Sequence, residues 1–220
     1  MTQVREFSET SPENVTVRGF LHAASDSGAS GLVLTHGAGS NCNSPILVAL
    51  ANAFSASGIA VLRCDLPFRQ SRPTGPPPRG SAEGDQQGVR AAVACMRRLT
   101  SGRVFLGGHS YGGRQSSMLA ASEPELVDAL LLLSYPLHPP KRPDDLRTAH
   151  FPHLTTPALF VHGARDGFGT LSEMEAALKL IPARKELVPI PAAGHELLTK
   201  RNREELPELC LERFRSFVDA

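Results

Sequence analysis

The residues best able to do chemistry lie in the run Gly107-Gly108-His109-Ser110-Tyr111-Gly112-Gly113. Residues Gly108 to Gly112 form a G-x-S-x-G pattern, which alone is short enough to arise by chance. Its setting makes it more specific. An apolar run over residues 104–107 precedes it and a helix-like pattern follows, so the serine stands on a strand–turn–helix bend that lifts its hydroxyl above a sheet. Small residues suit such a bend because no Cβ has to fit between strand and helix. A plain glycine-rich turn is the bland alternative.

A serine hydroxyl is a weak nucleophile at neutral pH and needs a base within hydrogen-bond reach, itself oriented by a third group. Two later segments supply them. The apolar run 157–162 leads into Gly163-Ala164-Arg165-Asp166, and the run 185–190 leads into Ala193-Gly194-His195. Nucleophile, acid and base thus come in the order Ser110, Asp166, His195, each just after a strand-like run. Loops at the carboxyl ends of parallel strands share one rim, so the three can converge. Asp166 before Gly167 also fits an ordinary turn, and His195 an ordinary loop histidine. Glu196 and Asp65 are the alternative acids. An acyl-transfer site also needs two amide donors for the developing oxyanion. Tyr111, following the serine, supplies one; Ala38, in the loop Thr35-His36-Gly37-Ala38-Gly39-Ser40, is the choice for the other. That loop also reads as a plain strand-to-helix turn. His36 is expected to brace it rather than to carry protons.

Elements to position these groups are legible from residue 31 onward. Strand-like runs at 31–35, 59–64, 104–107, 129–133, 157–162 and 185–190 alternate with helix-like spacing, the pattern of a parallel sheet with crossover helices. Ser44 followed by Pro45 opens the first helix as cap and first-turn residue, and Gly58 closes it. Val89, Val93, Met96 and Leu99 mark a second helix, residues 115–122 a third. Thr170-Leu171-Ser172-Glu173 is a capping box for a fourth, and Leu206, Cys210, Phe214 and Phe217 line the face of the last. Residues 67–80, with four prolines from Pro73 on, read as loop, and residues 136–143 as a second proline-rich excursion. Residues 15–23 suggest one or two antiparallel edge strands.

A length of 220 residues fits one domain spanning 1–220. With 23 basic and 22 acidic residues the chain carries +1, without the electrostatic footprint of a nucleic-acid binder. No apolar run approaches the ~20 residues that cross a bilayer. Residues 1–12 are polar with no signal-like apolar stretch, so a cytoplasmic location is expected. Cys42, Cys64, Cys95 and Cys210 lie far apart without a C-x-x-C, arguing for reduced, buried thiols rather than a zinc site or disulfides. No cofactor is implied: the glycine clusters match neither nucleotide-binding pattern. His138, His150 and His153 lack the companion ligands of a metal site, and a solvated proline-rich loop accounts for them better. Arg63, Asp65 and Arg69, at a strand's carboxyl end, suit either contact with an anionic substrate group or a surface ion pair.

The H-G-A-G loop at His36–Gly39, the G-H-S-Y-G elbow, the H-G-x-x-D at His162–Asp166 and the A-G-H ending at His195 together resemble the α/β-hydrolase superfamily, near its small dienelactone-hydrolase-like members, over about residues 31–219. The segments Arg63-Cys64-Asp65-Leu66-Pro67-Phe68-Arg69 and Ser134-Tyr135-Pro136-Leu137-His138-Pro139-Pro140 further resemble a branch shared by a testis-expressed protein and a subunit of a chromatin acetyltransferase complex. The resemblance implies Ser110 as nucleophile, Asp166 as acid and His195 as base. Dienelactone hydrolases carry Cys where this chain has Ser110, so their substrate does not transfer.

The expected fold is a mostly parallel, twisted sheet with helices on both faces and no large cap domain. The expected activity is hydrolysis of small acyl substrates, carboxylic esters or thioesters, by a Ser-Asp-His triad. A peptidase, an acyltransferase, or a non-catalytic interaction module retaining the fold are the alternatives. Only the two proline-rich segments remain to shape the site, which predicts a shallow, open cleft.

Overall fold

The computed structural model describes residues 3–24 and 29–220; residues 1–2 of the N-terminal segment lie outside it. Eight strands form one sheet: β1 (Val4–Thr10), β2 (Thr16–His22), β3 (Gly31–Thr35), β4 (Ala60–Asp65), β5 (Val104–His109), β6 (Ala129–Leu133), β7 (Ala158–Gly163) and β8 (Lys185–Ile190). Their order across the sheet is β1-β2-β4-β3-β5-β6-β7-β8. β1 pairs antiparallel with β2 and β2 with β4, and every pairing from β4 to β8 is parallel.

The central strands β3, β5, β6 and β7 are buried at every residue, as a parallel sheet covered on both faces requires. Alternate residues serve opposite layers. Leu32, Leu34, Phe105, Leu131 and Leu133 face helices α1 (Pro45–Ala56) and α6 (Glu205–Asp219). Phe214 of α6 packs its ring against Phe105 at 5.1 Å and Phe54 at 5.9 Å. Val33, Leu106, Leu130 and Leu132 face the layer containing α3 (Ala82–Leu99), α4 (Tyr111–Ser122) and α5 (Leu171–Leu178).

Several expectations change at element boundaries. Residues 15–23 hold one strand, β2, and it is interior; its outer partner β1 buries only Phe7 and therefore carries no apolar alternation to read. The expected loop from residue 67 begins with a short helix, α2 (Pro67–Ser71), because Pro67 at its first position has the helical φ already set. α4 starts at Tyr111 rather than near Gln115, since Gly112 and Gly113 mask its first turn. Ser44 precedes α1 but makes no capping bond, its hydroxyl being buried without a partner, so Pro45 alone favours the start. The Thr170–Glu173 capping box forms in both directions, with the Glu173 amide donating to Thr170 Oγ1 at 3.3 Å and the Thr170 amide to Glu173 Oε2 at 2.7 Å. Among the described residues no helix is long and apolar enough to cross a membrane, and all four cysteines are free and buried.

Candidate active site

Ser110 sits between β5 and α4 with φ 51° and ψ −114°, a left-handed conformation that a side-chain-bearing residue adopts only when its surroundings enforce it. The enforcement is close backbone packing. A Cβ on Gly108 would lie 2.3 Å from Thr35 Oγ1 and 2.7 Å from the Gly113 nitrogen, and one on Gly112 would lie 2.6 Å from the His36 carbonyl. The Ser110 amide donates to Leu133 O at 2.8 Å, and the Gly112 amide to His36 O at 3.1 Å, tying the bend to β6 and to the loop after β3.

From the carboxyl ends of β7 and β8, Asp166 and His195 meet this serine. His195 Nε2 lies 2.8 Å from Ser110 Oγ, and Nδ1 lies 2.8 and 3.0 Å from the two Asp166 oxygens. With Nδ1–H donated to the carboxylate, Nε2 is left to accept the serine proton. The Asp166 carboxyl is fully buried. Burial acts to raise its pKa, but the hydrogen bond and charge of His195, the Phe168 amide at 2.8 Å and the nearby His162 outweigh that and hold it below the usual carboxylate value. Asp166 is therefore ionised at neutral pH.

Three residues not anticipated from the sequence hold His195. Phe168 stacks on the His195 ring with centroids 4.1 Å apart and planes 29° from parallel. His109 Nε2 donates to the His195 carbonyl at 2.8 Å. His162, buried beneath Asp166, donates from Nε2 to Gly169 O at 2.8 Å and thereby anchors the loop between Asp166 and α5. Only the position of His109 inside the elbow hinted at any of this.

Ser110 and His195 open into a cleft of about 1040 Å³. This is roomier than the shallow depression expected, because residues 76–82 join the elbow, Phe168 and Pro136 in lining it. Ala38 and Tyr111 line it, and their amides have no acceptor among the described residues. His36 braces the first of these loops: its Nδ1 donates to Gly37 O at 2.8 Å and its Nε2 accepts from the Leu66 amide at 3.1 Å. The second bond requires the neutral ring, and burial lowers its pKa, outweighing the Gly37 bond that acts to raise it. The Tyr111 hydroxyl donates to the buried Asp85 at 2.7 Å, which also accepts from the Phe68 amide at 3.0 Å.

Arg63 and Arg69 are buried, do not line the cleft and form no surface ion pair among the described residues. Arg63, 5% exposed, donates to His22 Nε2, Cys42 O and Asn43 Oδ1 at 2.7–2.8 Å. Arg69, 4% exposed, donates to the carbonyls of Ala38, Ser40, Arg72 and Gly75 at 2.7–2.9 Å. Both are internal clamps on irregular backbone, which has carbonyls to satisfy. Asp65 accepts from the Cys42 amide at 2.8 Å, and Arg18 stands 3.8 Å away; Glu196 stays exposed on the cleft rim. The histidines of the second proline-rich excursion are likewise not simply solvated. His150 Nε2 lies 2.8 Å from Ser117 Oγ, and His138 is buried with Nδ1 donating to Pro139 O at 2.8 Å, since Tyr135, Leu137 and Phe151 pull this segment into the core. His153 remains exposed.

A strained serine bend on a mostly parallel sheet, with an aspartate loop and a histidine loop on its carboxyl rim, is the architecture of the α/β-hydrolase class. The sequence profile described as an alpha/beta hydrolase domain matches residues 28–218, so the chain belongs to that family, in its dienelactone-hydrolase-like branch. Among solved structures it is similar to a dienelactone hydrolase from Anabaena variabilis, with 25% identity and a TM-score of 0.74 over 98% of this chain and 99% of that one. It is similar in fold to Est1E from Butyrivibrio proteoclasticus, with 18% identity and a TM-score of 0.78 over 98% and 99% of the two chains. An alpha-beta serine hydrolase homologue from Coxiella burnetii gives 20% identity and a TM-score of 0.74 over 97% and 98%.

Proposed function

We propose that this hydrolase is a serine esterase or thioesterase that acts on acyl substrates through Ser110, Asp166 and His195. The observation that carries the reading is the unbroken chain of contacts from Asp166 through both ring nitrogens of His195 to Ser110 Oγ, each at 2.8 Å at its shorter distance. As Ser110 Oγ bonds to the acyl carbon, its proton passes to His195 Nε2, and Asp166 stabilises the resulting imidazolium. The carbonyl oxygen becomes an oxyanion held by the Ala38 and Tyr111 amides. Collapse breaks the bond to the leaving group, which takes the proton back from His195. Water then repeats the sequence: His195 removes its proton, the hydroxide adds to the acyl carbon, and Ser110 departs reprotonated with release of the acid. The reading takes residues 1–220 as one catalytic domain. A cytoplasmic setting belongs to it too, supported by four free, buried cysteines.

Labelling with a fluorophosphonate, which phosphonylates activated serines, tests the assignment. The wild-type protein is expected to react once, at Ser110, and to cleave nitrophenyl esters, while Ser110→Ala does neither and melts as the wild type does. An unlabelled wild type, or a Ser110→Ala protein that turns over esters as before, overturns it.

A further inference from the structure

The two amides proposed for the oxyanion, those of Ala38 and Tyr111, belong to different elements, yet both are tied to the short helix α2. On the Tyr111 side the tie is a buried acid that the triad does not use. Asp85 lies in the first turn of α3, where the helix dipole favours an anion, and is fully buried. Its acceptors go to other elements rather than to the amides of its own helix. Oδ1 accepts from the Phe68 amide in α2 at 3.0 Å, and Oδ2 from the Tyr111 hydroxyl at the start of α4 at 2.7 Å. The Ser81 hydroxyl adds a third donor to Oδ2 at 3.2 Å. All three donors are neutral, and no cation pairs with Asp85 among the described residues. A carboxylate buried in this way costs stability that a leucine would not, so what Asp85 contributes is the junction itself.

The Ala38 side is tied to the same helix. Arg69, the residue after Phe68, donates to Ala38 O, and the Leu66 amide just before α2 donates to His36. The Phe68 ring stands between the two sides, 5.6 Å from the His36 ring and 5.7 Å from the Tyr111 ring, which it meets edge-on at 88°. α2 sits hard against α3, for a Cβ on Gly88 would lie 2.5 Å from the Pro67 ring. Burial, above all, holds the Tyr111 phenol above its usual pKa, so its hydroxyl stays a donor. α3 and α4 are joined a second time by Gln86, which donates to Gln115 at 2.9 Å. What Asp85 adds to that contact is Tyr111 and α2 together.

We infer that Asp85 is a positioning residue for the oxyanion site: by holding Tyr111 and α2 at once, it sets the distance between the Ala38 and Tyr111 amides. The inference rests on the acyl-transfer reading for what that distance does, but not for the linkage, and the test separates the two. Two donors stabilise an oxyanion only where both reach the position that it will occupy. A displaced amide therefore weakens the transition state more than the bound ester, and the loss falls on kcat rather than on KM.

Three variants test this: Asp85→Leu removes every acceptor, Asp85→Asn keeps a polar partner for Phe68 and Tyr111, and Tyr111→Phe removes one donor. Competent sites are counted by complete fluorophosphonate labelling, so kcat refers to folded enzyme. On nitrophenyl esters kcat is expected to fall about 10- to 100-fold in Asp85→Leu and about 5- to 10-fold in Tyr111→Phe, with KM within about twofold, and Asp85→Asn to recover most of the loss. Phenyl trifluoromethyl ketone supplies a second reading. Ser110 Oγ adds to its carbonyl carbon, the serine proton passes to His195, and the carbonyl oxygen becomes the oxyanion. Its affinity is expected to fall by the same factor as kcat, while the corresponding alcohol, which forms no oxyanion, binds as before. Unchanged kcat in Tyr111→Phe, a loss carried by KM, or equal losses for ketone and alcohol overturns the positioning role; where Asp85→Leu does not fold, the other two variants decide. Hydrogen exchange reads the linkage without turnover: the amides of residues 36–40 are expected to exchange faster in Asp85→Leu than in the wild type or Asp85→Asn, and unchanged exchange there overturns the linkage. A wild type that neither cleaves esters nor is labelled overturns the hydrolase reading and leaves the exchange result to decide the linkage.

Discussion

Arg69 Nη2 donates to the carbonyl of Ala38 at 2.8 Å, so the residue proposed to offer an oxyanion amide is held through its own carbonyl by a side chain from α2. The same nitrogen reaches Gly75 O at 2.8 Å, and Nε reaches Ser40 O at 2.7 Å. One guanidinium therefore joins the loop after β3 to the proline-rich wall of the cleft.

Removing that guanidinium should loosen both. Arg69→Met is expected to lower kcat on nitrophenyl esters by about 10- to 100-fold, the scale of a small misplacement of catalytic groups. It should also lower stability by about 1.5–3 kcal/mol in urea titration. A stability loss with kcat unchanged would mean that Arg69 holds the fold and nothing more.

Asp166→Asn replaces the ionised carboxylate with an amide that can present a donor to Nδ1. The histidine then favours the tautomer with Nε2 protonated, which cannot accept from Ser110. A fall in kcat on the order of 10⁴ is expected, with Phe168 still stacked and the melting curve little changed. Retained activity would move the acid to another residue.

Acid sensitivity should come from histidines buried neutral. His22, which accepts from Arg63 Nε at 2.8 Å, has its pKa lowered from 6.5 to about 4 by burial and then by Arg63. Burial and then Arg114 lower His150 from 6.5 to about 4. Below pH 6.5 the unfolded chain binds these protons and the folded one does not, so stability falls as pH drops from 6.5 toward 4, by at most about 3 kcal/mol for each group. Asp166, with its pKa lowered from 3.8, adds stability that is lost only below that value. Urea midpoints measured across this range check the window; a flat profile between pH 6.5 and 4 would contradict it. His22→Gln, which keeps an acceptor for Arg63 without a titrating ring, should flatten part of the slope.

The sheet from β3 onward and the relative placement of Ser110, Asp166 and His195 were legible because each depends on local pattern: buried runs, punctuating glycines and strand-end position. β1 was not, since an outer strand with a single buried residue has no apolar alternation. The roles of Arg63 and Arg69 were hidden for a different reason. Their acceptors are mostly backbone carbonyls contributed by loops, and a carbonyl leaves no residue type in the sequence. Phe168 looked like any loop aromatic, because stacking on His195 is set by how two loops from β7 and β8 fold over each other.

The far edge of the sheet carries a guard of its own. Ala158 donates to Arg184 O and Ala164 to Ile190 O, so the amides of residues 186, 188 and 190 face β7 and position 189 turns outward. Pro189 occupies it and has no N–H to offer. At the opposite margin, β1 exposes Arg5 and Glu6 to solvent. A stray strand approaching either margin meets a missing donor or a row of charges, so the chain is built against accreting sheet on sheet when concentrated.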